Sequence, residues 1–558
     1  MTSCMSPHHS SYEFSKRTQS AIGFDLLWNQ IHGNCLTSYG RAYIEEDPFL
    51  STVEAIEIKM EQVLAAKEWL KNASPALLGS VQEIRDFLNT AQKAEILSAV
   101  DLKEVAHTLL LLSRIQPALK AGRASAELMG IVDSLHDWHD FALAIVRCFD
   151  EHGHLLSNAS PGLKIAREQA FELQERMRTK MTRLIEALDE QGILQDPYFT
   201  LRNERYVLPI RSGAMGQVEG IVHDTSQTGH TLFVEPSANL NLGNKIAVAL
   251  GEVKVEENKV LKELTQTILS RVDEIFLDLE CVGQLDATFA QGHLALQLDA
   301  QKPIVKQDAK THSLYLKDAR HPHLVLQALD DNTQVIANSI SFAGAQGLVL
   351  SGPNAGGKTV VLKMVGLMVA MVKAGLPIPA SAESQIPLFD GVIAMVGDGQ
   401  SIENAMSTFS AEASALKEVL DSVVKAKGGQ NLLVLLDELF AGTDAQEGGA
   451  LARASLEYLS DAGASLMVTT HLEAVKRMAA ESDASRGTFK SMFMAYNPET
   501  NQPTFHLHTD GTGQSYAIQT AENMGVPQRI LRKALMYFHG VTAGQERSFN
   551  TLLEEKDV

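Results

Sequence analysis

A phosphate-cradling turn constrains this chain more than any other feature. Residues 348–359 read LVLSGPNAGGKT. The apolar run Leu348-Val349-Leu350 leads into Gly352, Pro353, Asn354, Ala355, Gly356, Gly357, Lys358 and Thr359. That is the G-x-x-x-x-G-K-[ST] spacing of a P-loop. Glycines let the backbone curl until several N–H groups face one anion. Lys358 offers a cation to the β- and γ-phosphates of ATP, and Thr359 offers a hydroxyl to Mg²⁺. The stretch from Val360 to Lys373 is expected to form a helix whose positive end faces the same phosphate. Its apolar character, interrupted by Lys363 and Lys373, reads as a buried helix and not a membrane span.

Two further apolar runs end in residues suited to the same chemistry. LLVLLDE at 432–438 delivers Asp437 and Glu438 at a strand end. An aspartate there holds Mg²⁺, and the adjacent glutamate can orient or deprotonate an attacking water. LMVTTH at 466–471 ends in His471. A chance P-loop would not bring two such partners in order. A P-loop kinase is the competing enzyme class, but it needs neither a glutamate beside the aspartate nor a strand-end histidine. Between these runs, GDGQSIENAMSTFS at 397–410 precedes a helix read from Ala411 to Lys427. Ser407, Thr408 and Phe409 open it, and a helix start with hydroxyls suits a phosphate or serves as a plain N-cap.

The 558 residues are enough for about three or four structural units. A net charge of −20 excludes a generally sticky nucleic-acid or anionic-membrane binder and leaves room for a local basic channel. Cys4, Cys35, Cys148 and Cys281 lie far apart and read as reduced thiols. MTSCMSPHHSSYEFSKRTQ has no apolar leader core, so a cytoplasmic location is expected, with room for nucleoid association and no membrane partner.

The fold class expected is α/β, with a largely helical core and lever region, a small β-rich insert and a P-loop domain. After an N-terminal segment expected to be disordered (1–20), residues 21–197 read as helical core and first lever helix. Ser51 with Glu54 reads as a capping box. Val100–Leu119, Ala124–Cys148 and Ile165–Leu188 each read as helix, and His107, His136, His139, His152 and His154 are scattered among them. Residues 198–240 read as strands and turns. Arg202, Arg205 and Arg211 stand there against Glu204 and Glu219, either for phosphate contact or as a solvated charge group. Residues 241–302 hold a second long helix with Leu261, Leu264, Ile268, Val272, Ile275 and Leu279 on one face. Strands then alternate with helices through the ATPase region, 303–510. Val335 or Ile336 is the expected apolar contact for the base. Residues 541–558 read as a flexible tail.

These motifs resemble the MutS family of ABC-type ATPases. The carriers are GPNAGGKT at 352–359, GLPIPA at 375–380, GDGQSIENAMSTFS at 397–410, LLVLLDELFAGTD at 432–444 and VTTHL at 468–472. LRNERYVLPIRS at 201–212, GIVHDTSQTGHTLFVEP at 220–236 and RHP at 320–322 are similar to the second bacterial subfamily, the one not devoted to mismatch repair. The resemblance implies a homodimer with two composite ATP sites. Lys358 and Thr359 would bind phosphate and Mg²⁺, and Asp437 would hold the metal. Glu438 would be the catalytic base, His471 would sense the γ-phosphate, and Ser407 would reach the other subunit's nucleotide. The 198–240 insert would be a clamp near DNA, and 511–540 a helical dimerisation element.

The departures shape the expected function. Helical scaffold begins almost at once where mismatch-repair members carry a mismatch-reading domain. Phe233-Val234-Glu235 lies mid-chain and is expected to be a strand edge. Little chain follows the dimerisation element, so neither an Smr domain nor nuclease activity is expected. The leading expectation is an ATP-hydrolysing clamp on branched or distorted DNA, without sequence specificity. The alternatives are a ribosome-associated ATPase in rescue of stalled translation and an ATP-switched interaction protein.

Overall fold

The computed structural model describes residues 14–307, 314–353, 356–397, 408–425, 431–440, 442–484, 487–497, 500, 502–509, 521 and 524–538. The chain forms two compact units. The smaller comprises Ala76–Leu119 and Val132–Val282; the larger comprises Met1–Pro75, Lys120–Ile131 and Gly283–Val558.

In the smaller unit two long helices, Pro161–Asp189 and Leu240–Leu269, flank a sheet in the sequence. The first is nucleated by Ser160, whose hydroxyl accepts from Leu163 N–H, with Pro161 in the first turn, where its missing N–H costs nothing. It buries Leu163, Ala166, Ala170, Met177, Met181 and Leu188 at helical spacing. The antiparallel strands β1 (Thr200–Arg202), β2 (Arg205–Arg211), β3 (Gly220–Thr225) and β4 (Thr231–Pro236) take the order β1-β2-β4-β3. Met177, Met181, Leu208, Ile210, Val234 and Ile246 share one core, which fixes sheet and helices together.

Several expectations need correction. Residues 16–20, expected to be disordered, lie in helix Lys16–Ile22, capped by Ser15. β4 pairs with β2 on one side and β3 on the other, so Phe233-Val234-Glu235 is interior, not a strand edge. The helix read through Leu261–Leu279 is two helices: one ends at Leu269 and the next, Val272–Gln297, begins after Ser270 and Arg271. Likewise Ala124–Cys148 is two helices, Ala126–Val132 and His139–Val146, parted by residues 133–138. There the Trp138 indole N–H donates to buried Asp278 at 2.6 Å, and the Arg271 guanidinium lies 4.1 Å from the Trp138 ring. Tertiary contacts thus override continuous apolar spacing.

The larger unit holds two sheets. Strands β5 (Ile304–Lys306), β6 (Tyr315–Ala319), β7 (Asn338–Ser341) and β9 (Gln385–Pro387) form one, in the order β5-β9-β6-β7. The other contains β8 (Gly347–Ser351), β10 (Gly391–Met395), β11 (Leu432–Asp437), β12 (Ser465–Thr469), β13 (Phe489–Asn497) and β14 (Gln502–His508). Its order is β10-β11-β12-β8-β13-β14, parallel except for the β13/β14 pair. β8 and β12 are buried throughout, as apolar runs in a sheet covered on both faces should be. The helix Lys358–Lys373 is buried along nearly its whole surface, which explains its apolar composition. Helix Val53–Leu70 is capped by Thr52, whose hydroxyl accepts from Ala55 N–H at 3.2 Å; Ser51 is not the cap, and with Ala55 in place of an acidic residue three positions on, the expected capping box does not form. Among the described residues, no helix is long and apolar enough to cross a membrane.

Candidate active site

Strand register builds the site. β12 lies between β11 and β8, with Thr469 opposite Asp437 on one side and Leu350 on the other. Three strand ends therefore face the same region. Beyond β8, Gly352 has φ +142° and Gly357 has φ +93°, conformations open to glycine and strained for other residues. A Cβ on Gly352 would also lie 3.2 Å from Met494 N. Gly357 then delivers Lys358 and Thr359 into the first turn of the buried helix.

The polar groups form a connected chain. Lys358 is 4% exposed; its ammonium donates to Gly352 O at 3.0 Å and lies 3.0 Å from Glu438 Oε1. The Thr359 hydroxyl donates to the Asp437 carboxylate, with its oxygens at 2.9 and 3.1 Å. The Thr469 hydroxyl donates to the same carboxylate at 2.5 Å and accepts from Glu438 N–H at 3.0 Å. Glu438 itself has φ +49°. A left-handed non-glycine residue costs on the order of 1–3 kcal/mol, and the turn this strain makes brings the Glu438 side chain back to Lys358. Phe440, at φ +59°, is fully buried, and its N–H donates to Glu412 Oε2 at 3.1 Å. Burial raises the Glu412 carboxyl above the usual range.

A cavity of about 730 Å³ opens beside this chain. Lys358, Thr359, Asp437 and Glu438 line it at one end; Val335 and Ile336, the expected base contacts, line it too. So does Phe505 of β14. Asn338 holds that strand, donating to Phe505 O at 3.0 Å and accepting from Leu507 N–H at 2.7 Å. His321 also lines the cavity; among the described residues its buried Nδ1 has no hydrogen-bond partner. Burial, with His323 and Lys363 adding repulsion, pushes this imidazole down to about 4.

The sequence pointed to Lys358, Thr359, Asp437 and Glu438, and they stand together. Gly352, Pro353, Gly356 and Gly357 flank them in the turn, whereas Asn354, Ala355 and Ser407 lie outside the described residues. His471, two positions beyond β12, is exposed and does not line the cavity. Thr469, Phe505 and the role of His321 were missed. Thr469 stood inside a quoted strand, but only the β11/β12 register joins it to Asp437.

Of the three insert arginines, Arg205 is committed internally. It donates to Asn244 at 2.8 Å and lies 3.5 Å from buried Glu235, whose other oxygen meets His223 Nε2 at 2.7 Å. Arg202 lies 3.3 Å from Asp224 and over the Phe233 ring at 4.7 Å. Arg211 is exposed at the end of β2.

The residues present fit a magnesium nucleotide: a buried cation at a helix start, a hydroxyl and a carboxylate already in contact, and a cavity of nucleotide size with both apolar and polar lining. A parallel sheet whose strand runs through a glycine turn into a helix, beside an acidic strand end, is the arrangement of a P-loop protein. Residues 348–541 match the family model for MutS domain V. The chain is 34% identical to the endonuclease MutS2 of Anaeromyxobacter sp. over 95% of its own length and 66% of that protein. It is 32% identical to that of Bacillus velezensis, over 93% of this chain and 64% of the other. It is 32% identical to that of Geobacillus sp., over 97% and 67%. The chain belongs to the MutS family, in the MutS2 branch. It spans just under two thirds of the first two relatives. Their name, endonuclease, stands against the expectation that nuclease activity is absent.

Proposed function

We propose that this chain is an ATP-hydrolysing, homodimeric clamp acting on branched or distorted DNA. The observation that supports ATP hydrolysis is the unbroken contact chain Lys358–Glu438–Thr469–Asp437–Thr359, of which all but Thr469 line the cavity. Lys358 would bind the terminal phosphates. Thr359 and Asp437 would hold Mg²⁺, which when bound neutralises charge on the triphosphate. Val335, Ile336 and Phe505 offer apolar surface to the base. Glu438 would take the proton of the attacking water. Its contact with Lys358 has to loosen first, because the phosphates claim the same ammonium. Ser407 is proposed to reach the partner subunit's nucleotide and His471 to sense the γ-phosphate. DNA as partner rests on the family and on the arm-like pair of long helices with its β-rich insert.

The test is steady-state ATPase of the chain alone and with duplex DNA, a four-way junction or ribosomes, with Glu438→Ala as the blank. Stimulation by the junction above the duplex is expected. Stimulation by ribosomes alone would overturn the DNA reading, and activity equal to the Glu438→Ala blank would overturn ATP hydrolysis.

A further inference from the structure

We propose that a groove between helices Pro161–Asp189 and Leu240–Leu269 binds the phosphodiester backbone of duplex nucleic acid. The inference deepens the reading above and rests on its nucleic-acid arm. The groove is a cavity of about 600 Å³ lined by Arg176, Thr179, Lys180, Arg183, Asn241 and Lys245, with two apolar residues. No carboxylate lines it, in a chain whose net charge is −20.

The four cations are all exposed. Glu172 is 3.8 Å from Arg176, but both side chains are 70% exposed. Such a pair is worth about 0–1 kcal/mol, so a phosphate can displace it. Arg176, Lys180 and Arg183 follow at steps of four and three, which sets them on one helix face. Met177 and Met181, their neighbours in sequence, are buried in the core, so that face cannot roll inward. Seven residues of helix rise about 10.5 Å. A duplex strand presents one phosphate per about 3.4 Å of axis. Because the backbone also winds around that axis, successive phosphates lie roughly twice as far apart, and the row reaches about two phosphates of one strand. Lys245 adds a cation from the second helix, and Asn241 adds a neutral donor for phosphate oxygens; the Thr179 hydroxyl already donates to Glu175 O at 3.0 Å. No aromatic residue lines the groove to hold an unstacked base, so a backbone fits it better than a single strand does.

The test compares the full chain with K180Q/R183Q/K245Q in duplex binding across a salt series, on duplex DNA and on duplex RNA. Each phosphate left without its cation makes the log–log salt slope shallower by about 0.9. The variant is expected to lose about 2–3 from the slope per protomer and at least tenfold in affinity at low salt. The charge-keeping K180R/R183K/K245R should retain the slope, which separates lost charge from lost fold. A loss on either duplex supports the site. Unchanged slope and affinity on both overturn it, with the clamp reading intact. A variant-sensitive slope in a protein whose ATPase ignores DNA would keep the groove and remove the clamp. A wild-type chain that binds neither duplex would overturn both.

Discussion

The ammonium of Lys358 and the carboxylate of Glu438 meet at 3.0 Å, so the cation suited to a phosphate and the base suited to a water hold each other. The two residues lie 80 positions apart and come together only because β8 and β11 flank β12. The pair sets the one cation of the cluster against Glu438, while the second carboxylate, Asp437, is held by the Thr359 and Thr469 hydroxyls. Glu438→Ala is expected to bind ATP and to hydrolyse it about 10²- to 10⁴-fold more slowly, the usual effect of losing a general base. Lys358→Ala is expected to lose nucleotide binding. Nucleotide titration together with single-turnover hydrolysis separates the two; normal turnover in Glu438→Ala would remove it from the base role.

Thr469 ties Asp437, the proposed Mg²⁺ ligand, to Glu438, the proposed base. Thr469→Val keeps the shape and removes the hydroxyl between Asp437 and Glu438 N–H. The expected result is a fall in kcat larger than any rise in KM, with a stability loss of about 1 kcal/mol. Thr469→Ser should restore both. Equal activity in the valine and serine variants would mean the link does not position Glu438.

His321 makes stability depend on pH. Its folded value of about 4 lies below the ordinary 6.5. Between these values the unfolded chain takes up a proton that the folded chain refuses. Stability should therefore be full near neutrality and fall as pH drops from about 6.5 to about 4, by roughly 3 kcal/mol from this group. His321→Phe should flatten that part of the profile. Urea midpoints at pH 7 and pH 4.5 measure it, and an unchanged difference in the variant would dismiss His321 as its source.

Gly292 decides how closely two helices approach. A Cβ there would sit 2.8 Å from Ala66 Cβ and 2.9 Å from Lys67 N. Alanine normally gains about 1 kcal/mol over glycine inside a helix, whereas overpacking costs about 1–3 kcal/mol. The obstacle is partly backbone and cannot rotate away, so Gly292→Ala is expected to lower the urea midpoint. A raised midpoint would mean that the helices part freely.

Much of this site could be read before the fold was seen, because each part ends an apolar run. Lys358, Asp437 and Glu438 are marked by local spacing alone. Phe505 is not: it sits in an ordinary strand pattern, and only its φ of +58° and the grip of Asn338 relate it to the cavity. The helix break at Ser270–Arg271 was hidden for the opposite reason. Ile268, Val272 and Ile275 keep helical spacing across it, so periodicity carries no mark of the interruption. Arg205 looked available for phosphate because composition cannot show that Glu235 is buried beside it.

The helix Lys358–Lys373 is anchored at both ends as well as along its sides. At its far end the Lys373 ammonium donates to Phe389 O at 2.8 Å, and Lys373 O accepts from Leu50 N–H at 2.9 Å. Its 16 residues make a rod of about 24 Å. Close-packed interiors yield little and pass strain onward. A rod packed in this way is stiff, so Lys358 at one end and the contacts with Leu50 and Phe389 at the other belong to one unbroken element.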